Sequence, residues 1–207
     1  MPKKIFKKGK KYTFSDYFNM ANPIEEIIAE LGYSFSMQNI IFPRSENVDE
    51  KLIDDLRSSY YAVIPKVSVN SEIAKRELMI APILYAVIKT VNAKLNIEYL
   101  IEIDEKLSGL IDYLFHSKQT FIVIEAKKGD LEKGFNQLAA EMIAIDKYDD
   151  NNFSNNIYGA ISIGEVWRFA ILDRKIKRLT KDIHTFRFPE DVKDIFSILK
   201  AVLDKES

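Results

Sequence analysis

Two charged residues extend the most apolar strand-like segment of the chain. Residues 121–124 form a continuous apolar run, and Glu125 and Lys127 follow it. Alternate residues of an extended strand share a face, so Glu125 and Lys127 lie on the face of Phe121 and Val123. That face should be covered, and a charge placed there needs a partner. The spacing therefore predicts a chemical site at the end of this strand.

The same spacing of acid and lysine occurs elsewhere in the chain, for example at Asp104, Asp173 and Asp191. These residues fall in predicted turns or at a predicted helix start, where acids serve local capping roles. We therefore set these three positions aside as sites of chemistry.

Asp112 provides a second carboxylate opposite Glu125. It lies in the preceding strand-like segment, residues 110–115. A hairpin that closes symmetrically about Lys118 and Gln119 pairs Asp112 with Glu125 and places their Cβ atoms roughly 4.5 to 5.5 Å apart on one face. Two carboxylates at that distance repel and raise one another's pKa unless a cation lies between them.

A divalent cation would resolve this repulsion. Mg²⁺ prefers oxygen ligands and commonly uses one or two carboxylates together with substrate phosphate, and Asp112, Glu125 and the Ala126 carbonyl could supply those ligands. The ion would acidify water and stabilise charge on phosphate oxygens. Lys127 could position the attacking water or offset charge in the transition state. The competing interpretation is a structural interstrand salt bridge among Asp112, Glu125 and Lys127.

Polar residues on two predicted helices could complete the site. Glu77 lies on the apolar stripe of a long helix, where a carboxylate is uncommon without a partner. It could be a further metal ligand, could bind a metal-bound water, or could form a salt bridge with a lysine. Gln137 and Glu141 lie one turn apart beside the apolar face of a later helix, and Gln137 could hold a phosphate, order Glu125, or be an ordinary boundary residue.

Composition and charge restrict the class of protein. The chain has 207 residues, 47% hydrophobic and 29% charged, which is typical of one globular domain with a small N-terminal addition. The chain has no Cys and two His, so any metal site should hold a hard cation through carboxylates. No apolar segment suits a membrane span or a secretory signal, so we expect a soluble, cytoplasmic protein.

The positive charge is concentrated at the start of the sequence. Six lysines lie within the first eleven residues, and removing their six charges from the formal net charge of -1 leaves -7 for the rest. Nucleic acid would therefore be bound through local basic patches, such as this tail or the run that begins at Arg174. Each patch could equally be a solvated charge run.

Hydrophobic periodicity predicts an α/β fold with a mixed central β-sheet flanked by helices. The long helix, with Pro82 as a kink, has an apolar stripe at Ile73, Ile80, Ala81, Leu84, Ile88 and Val91. Helices are predicted at 23–31, 47–61, 71–95, 131–145 and 189–203, and strands at 33–42, 97–103, 110–115, 121–127, 157–163 and 166–172. Residues 1–70 are predicted to form a basic tail with a helical and strand extension, and residues 71–207 to form the core.

The residues singled out above follow one another in a set order. Glu77 comes first, then GLIDYLF with Asp112, FIVIEAKKG with Glu125 and Lys127, GFNQLAAEM with Gln137, and finally YGAISIGEVWRFAIL. This order resembles the PD-(D/E)xK, or restriction-endonuclease-like, nuclease superfamily over about residues 71–172. One departure is that Ile111, not Pro, precedes the acid, as is common in that superfamily.

The resemblance implies a restriction-endonuclease-like core and a site that hydrolyses DNA phosphodiester bonds with Mg²⁺ or Mn²⁺. Asp112 and Glu125 would be metal ligands, Lys127 the catalytic lysine, Glu77 an accessory ligand and Gln137 a further site residue. The candidates for nucleic-acid binding are Lys128, Arg174, Lys175 and Lys177.

Two other functions compete with a nuclease. The first is a catalytically inactive nucleic-acid-binding or assembly module on the same fold, which would usually lack a member of the Asp112, Glu125 and Lys127 trio. The second is a structural protein in which the acids form salt bridges, whose stability would not depend on divalent metal. DNA is favoured over RNA as partner, and a homodimer would suit an enzyme that must cut two strands.

Overall fold

The computed structural model describes residues 5–117, 120–127, 129–149 and 154–204. The helices are α1 (Phe14–Phe18), α2 (Ile24–Ala29), α3 (Glu50–Val63), α4 (Glu72–Lys75), α5 (Ala81–Ile88), α6 (Leu131–Tyr148) and α7 (Val192–Leu203). A 3₁₀ turn, Ile64–Lys66, follows α3, and a π-helical turn, Arg76–Ile80, joins α4 to α5. The strands are β1 (Ser34–Gln38), β2 (Lys94–Glu102), β3 (Ser108–His116), β4 (Phe121–Ala126), β5 (Asn156–Ser162), β6 (Val166–Asp173), β7 (Arg178–Asp182) and β8 (Phe186–Arg187).

All of these strands belong to one mixed sheet. Its order is β1-β7-β6-β5-β4-β3-β2, and the short β8 pairs with β6. The pairs β1 with β7 and β4 with β5 are parallel, and the others are antiparallel. Parallel neighbours need a crossover connection, and α6 provides it between β4 and β5. The start of α6 therefore follows closely on the end of β4.

Helices cover both faces of the sheet, and each face has its own apolar core. The α6-side core contains side chains from α1, α2 and α6 together with one face of the sheet. The α5-side core contains side chains from α3, α5 and α7 together with the other face. The α/β class with a mixed, helix-flanked sheet is thus confirmed. Among the described residues, no helix is long and apolar enough to cross a membrane.

The N-terminal residues form part of this single architecture. β1 pairs with β7, and Phe14, Tyr17, Ile27 and Ile28 are buried in the α6-side core. The first seventy residues thus contribute a strand to the sheet and side chains to both cores. β7, which the periodicity did not predict, lies in the sheet next to β1.

The helix predicted over 71–95 differs from the structure in two ways. It ends at Ile88, before β2 begins at Lys94, and its first half contains the π-helical turn. Pro82 has no backbone N–H to donate within the helix, and in the preceding turn the Ala81 N–H bonds to the Arg76 carbonyl, five residues back. This wider turn immediately precedes Pro82, which lies in the first turn of α5.

Candidate active site

Glu125 lies at the end of β4, on the α6 side of the sheet, and is 0% exposed. The predicted hairpin register is confirmed where strands β3 and β4 pair, because Tyr113 lies opposite Ile124 and Leu114 opposite Val123. The predicted closing residues of the hairpin, 118 and 119, lie outside the described residues.

Asp112 is bound to the backbone of β4 and to an arginine. Its Oδ2 accepts a hydrogen bond from the Ala126 N–H at 2.9 Å. Its Oδ1 lies 3.3 Å from Nη1 of Arg76, in the π-helical turn. Ala126 thus contacts Asp112 through its N–H, whereas the sequence analysis considered only its carbonyl. The side chain of Asp112 is 16% exposed, so this carboxylate lies at the border between the site and solvent.

Lys127 follows β4 directly and forms an ion pair with Glu125. Its backbone N–H donates to the Ser162 carbonyl of β5 at 2.8 Å, which continues the sheet pairing past the end of the strand. Its Nζ lies 5.8 Å from the centre of the Phe18 ring of α1. The ammonium group is therefore held between the end of β4 and α1.

A second buried acid, Glu141 of α6, lies beside Glu125. Glu141 is 0% exposed, and Gln137, one helical turn earlier, donates to Glu141 Oε1 from Nε2 at 2.9 Å. Glu125 Oε2, Glu141 Oε2 and Gln137 Oε1 are buried and have no N–H donor among the parts of the chain that the structure describes. The Glu125 and Glu141 carboxyls lie close enough to share a proton. Unsatisfied buried oxygens are costly, so this arrangement favours either a shared proton or a bound cation.

The electrostatics of these groups agree with that conclusion. Burial, reinforced by the charge of Asp112, raises the pKa of Glu125 to about 8, even though Lys127 opposes the shift. Burial and the neighbouring Glu125 also raise the pKa of Glu141 well above its ordinary value. Burial disfavours the charged form of Lys127, but the carboxylates of Glu125, Glu72 and Asp112 outweigh this effect and raise the pKa of Lys127.

Glu77 is not brought to this site. It is exposed, and Ile73, on the same predicted stripe, is 70% exposed, so the predicted burial of these two positions is wrong. The physical reason is the π-helical turn, whose extra residue shifts the inward-facing positions back by one. Glu72 and Arg76 take those positions: Glu72 acts electrostatically on Lys127, and Arg76 contacts Asp112.

Two of the predicted nucleic-acid-binding residues, Arg174 and Lys177, lie at the other end of α6 from the trio. Arg174 is buried, and its guanidinium bonds to Asp146 Oδ1 at 2.9 Å and to Asp149 Oδ2 at 2.8 Å. Lys177 also pairs with Asp146, at 2.8 Å. Asp146 is twelve residues beyond Gly134 on α6, or about 18 Å along the helix axis. The other two candidates are Lys175, which is exposed, and Lys128, which lies outside the described residues.

The residues present fit a divalent ion bound with substrate. Within the described ranges, no three His, Cys, Asp or Glu side chains form a ready-made metal cluster. However, Mg²⁺ often uses only one or two carboxylates and takes its other ligands from water and phosphate. Asp112 and Glu125, with the unsatisfied oxygens beside them, are a suitable set of hard donors.

The sequence analysis placed Glu141 beside Gln137 but gave it no role, and it missed Glu72 and Arg76. For Glu141 a signal existed, since an acid within the apolar sequence LAAEMIAI is unusual in a helix covered by a sheet. Glu72 and Arg76 could not be placed by a regular helical period, because the π-helical turn interrupts it. Comparison of the chain with protein-family models, curated proteins and solved structures found no match.

Proposed function

We propose that this chain is a metal-dependent nuclease of the PD-(D/E)xK type that hydrolyses DNA phosphodiester bonds. The observation that carries the proposal is the meeting of Asp112, Glu125 and Lys127 from two neighbouring strands, with buried carboxylate oxygens that have no N–H donor among the described residues. The mixed sheet with α6 crossing between β4 and β5 is compatible with a restriction-endonuclease-like core.

A purely structural salt bridge explains the site less well. Three carboxylates, Asp112, Glu125 and Glu141, lie within electrostatic range of one another. Lys127 and Arg76 are the cations in contact with Glu125 and Asp112, so the charges of the described side chains balance if either Glu125 or Glu141 keeps a proton. A divalent ion could replace that proton, whereas a purely structural salt bridge gives the buried Glu141 no role.

Each residue then has a defined task. Asp112 and Glu125 would hold Mg²⁺ or Mn²⁺, which when bound supplies Lewis-acid stabilisation of charge on the phosphate and acidifies water. Lys127 lies on the same face as Glu125, where its ammonium can orient the attacking water and offset the negative charge of the transition state. Gln137 donates a hydrogen bond from its amide N–H to the Glu141 carboxyl, and so holds Glu141 in position beside Glu125.

The direct test is cleavage of supercoiled plasmid and of single-stranded DNA with Mg²⁺ or Mn²⁺. We expect Asp112→Asn and Lys127→Met to lower the nicking rate at least about 100-fold, the scale for loss of one group that stabilises transition-state charge. Lys193→Met is the matched control, because Lys193 belongs to one of the other acid and lysine triplets and is exposed. It should cleave at the wild-type rate.

If the folded wild-type protein cleaves neither substrate with either metal, and neither metal raises its melting temperature, the nuclease proposal fails. Binding of DNA without cleavage would then favour the inactive nucleic-acid-binding module.

A further inference from the structure

Arg76 is a partly buried cation to which the nuclease proposal assigns no role. Its side chain is 13% exposed, and its Nη1 lies 3.3 Å from Asp112 Oδ1 and 3.4 Å from Glu98 Oε1. The guanidinium carbon lies 5.2 Å from the centre of the Tyr113 ring. Two acids and one aromatic ring therefore hold this group beside the residue that would bind the metal.

Two uncommon backbone conformations converge on Arg76. The residue lies in the π-helical turn, Arg76–Ile80, and its second acceptor, Glu98, has a φ of 51° within β2. Glu98 lies between Ile97 and Tyr99, which pair with Tyr113 and Ile111, so it faces the position of Asp112 across the sheet. Conformations of both kinds concentrate at functional sites. Together they bring Arg76 into contact with both Asp112 and Glu98.

The contact with Asp112 conflicts with a metal on the same carboxylate. A divalent ion at Asp112 and Glu125 would lie close to the guanidinium, and like charges at such distances repel. The repulsion is relieved if an anion lies between the two cations. A phosphate suits this position because its oxygens accept paired hydrogen bonds from an arginine and also bind Mg²⁺.

We propose that Arg76 is a phosphate-binding residue for the nucleic-acid substrate, held in place by Asp112 and Glu98 until a divalent ion binds Asp112. This inference rests on the proposed nuclease function and extends it. Arg76 weakens metal binding in the free protein and strengthens nucleic-acid binding in the metal-loaded protein. Metal and substrate therefore favour each other's binding, since the phosphate occupies the space between the ion and the guanidinium.

The test measures two affinities that should change in opposite directions. In calorimetric titrations with Mn²⁺ alone, Arg76→Gln should bind the ion about 5-fold more tightly than the wild type, because a nearby positive charge is removed. With Mn²⁺ present, Arg76→Gln should bind a labelled 12-base-pair DNA duplex about 10-fold more weakly, because a charged hydrogen bond is lost. The duplex is kept intact by making this comparison in the Lys127→Met background.

Two further variants separate charge from geometry. Arg76→Lys keeps the positive charge but loses the planar fork, so its Mn²⁺ affinity should remain at the wild-type level while its DNA affinity falls. Arg44→Gln removes an arginine paired with Asp194, and it should change neither affinity. Melting temperatures confirm that each variant is folded.

The outcomes distinguish this inference from the proposed function. If Arg76→Gln weakens Mn²⁺ and DNA binding together, or changes neither, Arg76 is structural and the inference is overturned. If the wild type binds Mn²⁺ no better than Asp112→Asn, the metal site itself is wrong, and the nuclease proposal fails with it.

Discussion

At the scale of single residues, the site is governed by the burial of Glu125. A carboxylate with no exposed surface loses its hydration, and Lys127 restores only part of what is lost. Glu125 can therefore retain a proton, or it can bind a metal ion that replaces the proton. Glu141 increases the need for a proton or a metal ion, because two ionised carboxylates side by side repel each other.

The stability of the metal-free protein should consequently fall as pH rises. Native Glu125 keeps its proton up to about pH 8, whereas in the unfolded chain it loses the proton near its ordinary pKa of 4.5. Between these values the native state binds more protons, so the free energy of unfolding should decrease by about 1 kcal/mol for each pH unit. Urea denaturation in EDTA from pH 5 to pH 8.5 measures this slope.

Glu125→Gln should reduce that slope, because the amide cannot titrate and Glu141 is then the remaining buried acid of the pair. Glu105→Gln, at an exposed position in the turn between β2 and β3, is the control for loss of a surface carboxylate. A wild-type slope that Glu125→Gln leaves unchanged would contradict the assignment of this proton to Glu125.

The sequence predicts some of these residues better than others. Asp112 and Glu125 could be paired in advance because a strand has a period of two and the hairpin is short and symmetrical. The positions of Glu72 and Arg76 could not be predicted, because the extra residue of the π-helical turn moves every earlier side chain to a different face of the helix. Glu141 requires knowing which face of the sheet α6 covers, and that is a property of the tertiary fold.

At the scale of elements, α6 packs closely against the end of β4 through Gly134. An ideal Cβ at Gly134 would lie 2.3 Å from Ile161 Cδ1 and 3.0 Å from Lys127 Cγ. The absence of a side chain there allows the first turns of α6 to approach both β5 and the stem of Lys127. The Asp130 side chain begins this helix by accepting from the N–H groups of Glu132 and Lys133.

Gly134→Ala should therefore destabilise the protein and displace Lys127. Overpacking costs about 1 to 3 kcal/mol, and the better helix propensity of Ala offsets about 1 kcal/mol of it. We expect a lower midpoint in urea and a slower nicking rate. Gly129→Ala, where nothing lies within 4 Å of an added Cβ, is the matched control. Equal stability of the two variants would show that α6 can shift without cost.

The elements that periodicity predicts are the ones with several apolar residues in phase. β3, β4, β5, β6 and α6 were predicted nearly at their observed bounds, with differences of up to three residues at their ends. β7 was not, because its sequence RLTKD offers Leu179 as its one apolar side chain. Lys181 of this strand is buried all the same, since it pairs with Glu132 of α6 and lies 4.9 Å from the centre of the Phe135 ring.

At the scale of the whole molecule, a polar cluster around the buried Asp146 connects the end of α6 to segments distant in sequence. Asp146 accepts from the Tyr33 hydroxyl at 2.6 Å and pairs with Arg174 and Lys177. These partners come from the segment before β1 and from the turn between β6 and β7. The basic run that the sequence suggested for nucleic acid thus contributes two of its residues to this cluster.

Arg174→Met should cost about 3 to 5 kcal/mol of stability, because it removes the buried guanidinium that pairs with both Asp146 and Asp149. Lys177→Met is the control, since its side chain is 49% exposed and such pairs contribute at most about 1 kcal/mol. Urea denaturation at neutral pH gives both values. DNA binding by the folded Arg174→Met protein should match the wild type, and a selective loss of binding would return Arg174 to the substrate surface.

The parallel pairing of β1 with β7 also constrains how the chain is made. Ser36 and Thr180 touch across these strands although 144 residues separate them. At ordinary rates of translation, roughly 7 to 30 s pass between the synthesis of the two strands. During that interval β1 has no sheet to join and its backbone groups are open to other partners. The newly made chain therefore has an unpaired strand, open to non-native pairing, until β7 has been synthesised.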